Sequence, residues 1–124
     1  MDHGADRRAD HRVDHGVDHV QIHFTIDDAE RADAMVGSLL DRRLVACGQR
    51  SGPVRSRYWW HGVQETAEEW LVVLTTRSGL GARVIDAVVA DHPYETPEVV
   101  VVPLTAGAPG YLRWIDGETE ADPP

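Results

Sequence analysis

The sequence contains no lysine and only one cysteine. All 12 basic residues are arginine, which excludes Schiff-base chemistry on a lysine and the lysine of a phosphate-binding loop. A single thiol cannot form an internal disulfide, so Cys47 is consistent with a reducing compartment. Chemistry that depends on a lysine side chain is therefore not expected of this chain.

Clustered positive charge and long apolar runs are also missing. The net charge of −9 and the scattered arginines argue against nucleic acid as a partner, because phosphate binding needs clustered positive charge. No apolar run approaches the roughly 18 residues that a membrane helix needs. Residues 1–18 lack the apolar core of a signal peptide. We therefore expect no nucleic-acid or membrane partner, and a cytoplasmic location.

Residues 1–18 contain a run of Asp-His pairs. The segment has too little apolar surface to offset the entropy of ordering, so we predict a disordered tail. If it were helical, four histidines would share one face and could bind a metal ion: His11, His15, His19 and His23. The glycines of the segment oppose a helix, which favours a low-complexity extension over a metal-binding tail.

Residues 19–117 have the patterns of one domain, followed by a second predicted disordered tail at 118–124. Apolar residues alternate in the strand segments and recur at three- and four-residue spacing in the helical ones. The predicted order is a strand from His19, a helix over 28–43, strands over Val54–Trp60 and Glu69–Thr76, a helix over 79–91, a strand over Glu98–Leu104 and a short element at Tyr111–Ile115. This order predicts an α+β fold, a ferredoxin-like sandwich (βαββαβ plus a short C-terminal element).

Two connections are predicted around the middle strands. Ser51-Gly52-Pro53 combines residues that interrupt regular structure, so we expect a break there. His61–Glu65 separates two strand-like segments and is expected to form a hairpin connection.

The predicted strands are apolar on both faces. Trp59 and Trp60 are neighbours on a strand, so their side chains point to opposite sides. Leu71–Leu74 and Val99–Val102 likewise place two apolar residues on each side. Because the two helices can cover only one face, the other face needs a different cover. A partner copy would provide it, which predicts an oligomer; the alternative is that the C-terminal tail or the long hairpin folds back.

Residues 92–99, His-Pro-Tyr-Glu-Thr-Pro-Glu-Val, join the second predicted helix to the last strand. Two prolines stiffen this linker, which carries an imidazole, a phenol and carboxylates. Together with Leu44–Cys47, Tyr58–Gly62 and Tyr111–Ile115, in that order, it makes the chain resemble the CutA family of divalent-cation tolerance proteins over about residues 20–116. The resemblance implies a ferredoxin-like homotrimer associated with copper and other divalent metals, no required cofactor and no established enzymatic reaction.

The natural candidates for metal ligands are Cys47 and His92, with His61 and Glu95 as further donors. Thiolate and imidazole suit copper and zinc. Their spacing is unlike a contiguous metal motif, so a site would have to assemble from the fold or from two subunits. The alternatives are a buried core position for Cys47 and a helix-capping role for His92.

Three aromatic residues could line a ligand cleft, with packing as the alternative role: Trp60, Tyr94 and Trp114. Val63 stands where the resembled family usually has a lysine, which argues against an anion in such a cleft. No nucleophile elbow or phosphate-binding glycine motif is present, so we expect no enzyme.

The leading hypothesis is a trimeric metal-response protein that binds copper or other divalent cations weakly. The alternative is a trimeric signalling scaffold that binds a small metabolite in the clefts between its subunits.

Overall fold

The computed structural model describes residues 16–120, so nearly all of the predicted Asp-His tail and the last four residues lie outside the described residues. Within this range the chain forms four strands and three α-helices. They are β1 (His19–Ile26), α1 (Ala29–Asp41), β2 (Cys47–Trp60), β3 (Val63–Arg77), α2 (Gly81–Asp91), β4 (Val99–Leu104) and α3 (Pro109–Glu118), with a short 3-10 helix at Ser78–Leu80.

The strands form one antiparallel sheet in the order β2-β3-β1-β4. Buried residues of α1 and α2 belong to one core together with those of β1, so both helices lie on the same face. The α+β class and the order of elements are confirmed, and the strand order is compatible with a ferredoxin-like sandwich.

The core lies between the sheet and the two helices. In β1 every second side chain is fully buried, as the two-residue period of a strand requires: Val20, Ile22, Phe24 and Ile26. The helices contribute the facing apolar side chains, among them Met35, Leu39, Val84 and Val88. Removal of this apolar area from water is the main stabilising term of the fold.

The hairpin of β2 and β3 is longer than the sequence predicted. β2 continues through Ser51-Gly52-Pro53, with a shift of register between Ser51 and Val54. The predicted break is therefore wrong, because β2 is an edge strand, where an irregularity can accommodate proline. At the tip, His61 and Gly62 have φ of 50° and 81°. Two residues of positive φ close the hairpin tightly, so the predicted five-residue connection is also wrong.

The first two helices start and end close to the predicted residues. Asp28 caps α1, because its side chain accepts a hydrogen bond from the Arg31 N–H at 3.1 Å. α1 ends at Asp41 rather than at residue 43. Arg43 has a φ of 57°, the left-handed conformation that commonly follows the end of a helix. α2 ends two residues before Pro93, as predicted.

The face of the sheet opposite α1 and α2 is called the open face here. Its apolar side chains include Val73 and Val100, which are paired with His23 on either side of β1. Val100 is 46% exposed, whereas Val72 and Leu74 on the other side of β3 are fully buried. The prediction of strands with two apolar faces is confirmed, and within residues 16–120 one of those faces is incompletely covered.

The C-terminal helix α3 covers one end of the open face. His19 Nε2 lies 2.9 Å from Asp116 Oδ1, and the Arg77 guanidinium donates to the Asp116 carbonyl at 2.6 Å. Arg77 also donates to the hydroxyl of the buried Thr119 at 2.9 Å. The short element predicted at Tyr111–Ile115 is the middle part of α3, which has ten residues. α3 thus covers the open face as far as the paired residues His19 and Arg77, and it leaves Val100 exposed.

The structure bears on two predictions about the ends of the chain, the helical histidine face and the domain limits. A helical face of four histidines is wrong, because His19 and His23 belong to β1. The domain limits 19–117 and the tail 118–124 stay predictions, although Glu118 still belongs to α3 and the Glu120 N–H donates to the Arg43 carbonyl at 2.7 Å. None of the helices within residues 16–120 has the length and apolar character needed to cross a membrane.

Candidate functional site

His92 is the first residue of the loop between α2 and β4, and it is buried at 8% exposure. Its Nε2 donates to the Thr25 carbonyl at 2.7 Å, so this nitrogen carries the proton. Its Nδ1 accepts a hydrogen bond from the Tyr94 N–H at 3.1 Å. The ring also packs edge-on against Phe24 at 5.9 Å. Since both ring nitrogens have protein partners, His92 holds the loop against β1 and offers no lone pair to a metal ion.

Tyr94 is positioned by this arrangement. Its ring packs against His92 at 4.5 Å, and its hydroxyl donates to Glu69 Oε2 at 2.7 Å. Burial raises the pKa of Tyr94 well above its ordinary value, and the hydrogen bond and negative charge of Glu69 raise it further, as does the charge of Asp27. Tyr94 is therefore a neutral hydrogen-bond donor at physiological pH.

Between the distal half of the hairpin and the 92–98 loop lies a cavity of about 570 Å³. This is the size of a pocket for a small molecule. Its walls combine carboxylates, aromatic rings and hydroxyls, with one guanidinium: Thr25, Ser56, Arg57, Tyr58, Trp60, Glu65, Glu69, Tyr94, Glu95, Thr96 and Glu98. We call it the hairpin cavity.

The hairpin cavity is placed by strand register. Val54, Ser56, Tyr58 and Trp60 alternate along β2 and share one face with their partners in β3. In this register Tyr58 lies opposite Glu65, and Val54 lies opposite Glu69. The tyrosine and both carboxylates therefore share the face that also carries Trp60. The loop after α2 closes the other side of the cavity because His92 anchors it to β1.

The four predicted metal donors do not come together in one copy. Cys47 and Gln21 both pair with Thr75 of β3, so Cys47 lies at the height of Gln21 along the sheet. His92, in contrast, is hydrogen-bonded to Thr25, further along β1. Four residues of β1 correspond to about 13 Å along the strand. Within residues 16–120, no three His, Cys, Asp or Glu side chains are grouped closely enough to hold a metal ion. The residues present therefore do not fit a chelated copper site within a single copy.

The other two candidate donors lie in separate places. His61 is exposed at the hairpin tip, where its ring packs against Trp60 at 4.6 Å. Glu95 is exposed on the wall of the hairpin cavity. Cys47 is partly exposed on the open face rather than buried in the core. Each of these three residues is accessible, but as a single donor.

Of the three predicted cleft aromatics, Trp60 and Tyr94 line the hairpin cavity. Trp114 is on α3, where its ring stacks on Tyr111 at 5.7 Å, and it does not line this cavity. Glu69, which is only 6% exposed, was not among the predicted site residues. One signal in the sequence could have identified Glu69: it is a carboxylate directly before the apolar run Trp70–Leu74, at the start of a strand that was expected to be buried.

The family model that matches the chain is described as CutA1 divalent ion tolerance protein and covers residues 20–118. A curated relative from Archaeoglobus fulgidus, divalent-cation tolerance protein CutA, is 36% identical over 99 residues, which are 80% of this chain and 96% of the relative. The chloroplastic protein CutA 1 of Oryza sativa is 31% identical over 100 residues, 81% of this chain. These residues span 56% of the rice protein.

Solved structures match the fold over most of the chain. The crystal structure of CutA1 from Oryza sativa has a TM-score of 0.80 at 31% identity and covers 84% of this chain and 95% of the rice chain. The structure of the periplasmic divalent cation tolerance protein CutA from Archaeoglobus fulgidus has a TM-score of 0.79 at 36% identity. It covers 82% of this chain and 99% of the archaeal chain.

Proposed function

The chain belongs to the CutA1 family of divalent ion tolerance proteins, and from this premise we propose that it acts in divalent-cation tolerance as a homotrimer. The observation that supports the assembly is the open face, where Val100 is 46% exposed and Leu71 and Val73 are incompletely covered. Copies that packed their open faces together would remove these side chains from water at a gain of about 25 cal/mol per Å². The number three comes from the family resemblance.

In this proposal the trimer binds copper or other divalent cations weakly. Cys47, His61 and Glu95 are accessible single donors, so a chelating set would need contributions from different copies. A soft thiolate on the open face favours copper or zinc over harder cations. We further propose a binding role rather than a catalytic one, and a cytoplasmic location; two relatives are named as chloroplastic and periplasmic.

Light scattering coupled to size exclusion tests the assembly. The full chain should elute with about three times its mass of 13.7 kDa. Val100→Asp places a charge on the open face and should shift the protein to monomer. Val89→Asp is the matched control, because Val89 is 38% exposed on α2, on the helical side. A monomeric wild type, or equal masses for both variants, would contradict the proposal.

Calorimetric titration with Cu(II) tests the metal role. The protein for this test keeps its full length but carries His3→Ala, His11→Ala and His15→Ala, which remove the imidazoles of the tail. We expect a dissociation constant below about 1 mM, equivalent to roughly 4 kcal/mol, and weaker binding after Cys47→Ser. Absence of binding at that concentration would exclude metal binding by the folded domain.

A second candidate function is a trimeric signalling scaffold that binds a small metabolite, and the hairpin cavity favours it. Its volume of about 570 Å³ and its mixed aromatic and polar walls are those of a small-molecule site. A ligand that binds only the native protein raises its melting temperature. A thermal-shift screen of metabolites would support this function if a compound stabilises the protein, and would count against it if none does.

A further inference from the structure

The hairpin cavity has an excess of negative charge. Four carboxylates line it, those of Glu65, Glu69, Glu95 and Glu98, against one guanidinium, that of Arg57. Among residues 16–120, neither Arg57 nor any of these four glutamates takes part in an ion pair. The field inside the cavity therefore attracts cations and repels anions.

Glu69 is the most buried of these four carboxylates. It is only 6% exposed, and its hydrogen-bond partner is the neutral hydroxyl of Tyr94, 2.7 Å from Oε2. A buried carboxylate is costly unless it is paired with a cation or fully hydrogen-bonded. Among residues 16–120 no cationic side chain forms an ion pair with Glu69, so a positively charged ligand in the cavity would gain a charge-assisted contact with it.

The aromatic walls indicate what kind of cation fits. Tyr58, Trp60 and Tyr94 present three rings to the same space. Aromatic faces attract ammonium groups, more strongly when water is excluded, and they are a common means of recognising quaternary ammonium ligands. They also provide apolar surface for the body of an organic molecule.

The distribution of the carboxylates excludes a compact inorganic ion as the best ligand. Within residues 16–120 no three acidic or imidazole groups are close enough to coordinate a metal ion, so the four glutamates are spread around the walls. A ligand with a longer body, or with two separated charges, can reach carboxylates that a single ion cannot.

We propose that the hairpin cavity binds a small organic cation, an alkyl diamine or a quaternary ammonium compound, with its charged nitrogen at Glu69 and its carbon chain against the aromatic rings. This inference rests on the second proposed function, the small-metabolite scaffold, and specifies the class of metabolite. It does not depend on copper binding by Cys47, because none of its residues is a candidate thiol or imidazole ligand. Thr25 and Glu69 lie on the open face, so in the proposed trimer the cavity faces the clefts between copies.

Isothermal titration of the full chain with two cations, 1,4-diaminobutane and tetramethylammonium, tests the proposal against the uncharged butane-1,4-diol and the anionic succinate. Binding of at least one cation, with no binding of the diol or of succinate, is the expected result. If the diol or succinate binds instead, the cationic class is wrong while a metabolite function survives. If none of the four probes binds, the inference fails, and the thermal-shift screen decides the metabolite function separately.

Glu69→Gln is the decisive variant, since an amide keeps the size and can still accept the Tyr94 hydrogen bond. We expect the affinity for the cations to fall at least tenfold. Glu68→Gln is the matched control, because Glu68 is exposed on the opposite side of the same strand and does not line the cavity; its affinity should equal that of the wild type. If both variants lost the same affinity for the cations, the cations would be attracted by the overall negative charge of the protein and not by Glu69, and this result would overturn the proposal.

A second pair of variants covers the case in which Glu69→Gln does not fold. Trp60→Leu removes a ring from the cavity wall, and Trp59→Leu removes the neighbouring ring, which points to the other face and is 69% exposed. Tetramethylammonium should bind about three- to tenfold more weakly to the first variant and unchanged to the second. Equal affinities in the two variants would overturn the proposal.

Discussion

The two faces of the sheet come from the same four strands, yet they differ in how far they are complete. On the covered face, Phe24 and Val72 are fully buried beneath α1 and α2. On the open face, α3 reaches only the row of His19 and Arg77, and Val100 remains 46% exposed. Both faces share the same strands and the same backbone hydrogen bonds between them. The difference lies in how far each face is covered: one copy completes the core under α1 and α2 but leaves apolar side chains exposed on the open face.

The largest expected effect separates neighbouring residues of β1. Phe24→Ala opens a cavity in the covered face and should lower the free energy of unfolding by about 3–5 kcal/mol. Thr25→Ala, one residue further and on the open face, should change it by less than about 0.5 kcal/mol, since His92 bonds to the backbone of Thr25 and not to its side chain. Urea denaturation measures both, and similar losses would erase the distinction between the faces.

A smaller effect separates two adjacent valines of β4. Val101 packs against the core, and Val101→Thr buries a hydroxyl there at a cost of about 1–2 kcal/mol. Val100→Thr makes the same change on the open face and should cost less than about 0.5 kcal/mol in the monomer. Unfolding at low and high protein concentration sharpens the comparison. The cost of Val100→Thr should grow with concentration if copies pack on this face, and a concentration-independent cost would speak against such packing.

The smallest effect concerns pH and the phenol of Tyr94. Its pKa is raised in the folded protein, so the folded state holds this proton more tightly than the unfolded chain. The stabilisation is fully present below about pH 10, the ordinary pKa of tyrosine, and is lost as pH rises above that value. The stability difference between wild type and Tyr94→Phe, measured by denaturation at pH 8 and pH 11, should therefore shrink at pH 11. Parallel pH profiles would contradict a raised pKa.

Local patterns predicted the parts of the fold in which they are strong. The alternation through Val20, Ile22 and Phe24 predicted β1, and helical spacing predicted α1 and α2 to within a few residues. The distal half of β3, residues 63–68, was left out of the predicted strand, because its exposed polar residues show no apolar alternation. The interruption at Gly52-Pro53 looked like the end of a strand, since only the pairing with β3 reveals that β2 continues.

The candidate site was predicted only in part. The loop after α2 was singled out by its polar groups and its two prolines, and Tyr94 and Trp60 do line the hairpin cavity. Glu69 was missed, because a carboxylate in a strand has no local sign of its partner 25 residues away. The roles of His92 and Cys47 could not be separated by residue type. Both are soft or borderline donors, but one has its nitrogens occupied and the other lies on the open face.

By itself the sequence determined that the strands are apolar on both sides, because side-chain direction in a strand follows a period of two. It also determined the acidic character of the chain and the absence of any lysine. Only the tertiary structure decided which apolar face the helices cover, how far α3 reaches and which carboxylates surround the hairpin cavity. Those features depend on the pairing of residues that are far apart in the chain, such as Glu69 with Tyr94 and His92 with Thr25, and such pairing leaves no periodic signal.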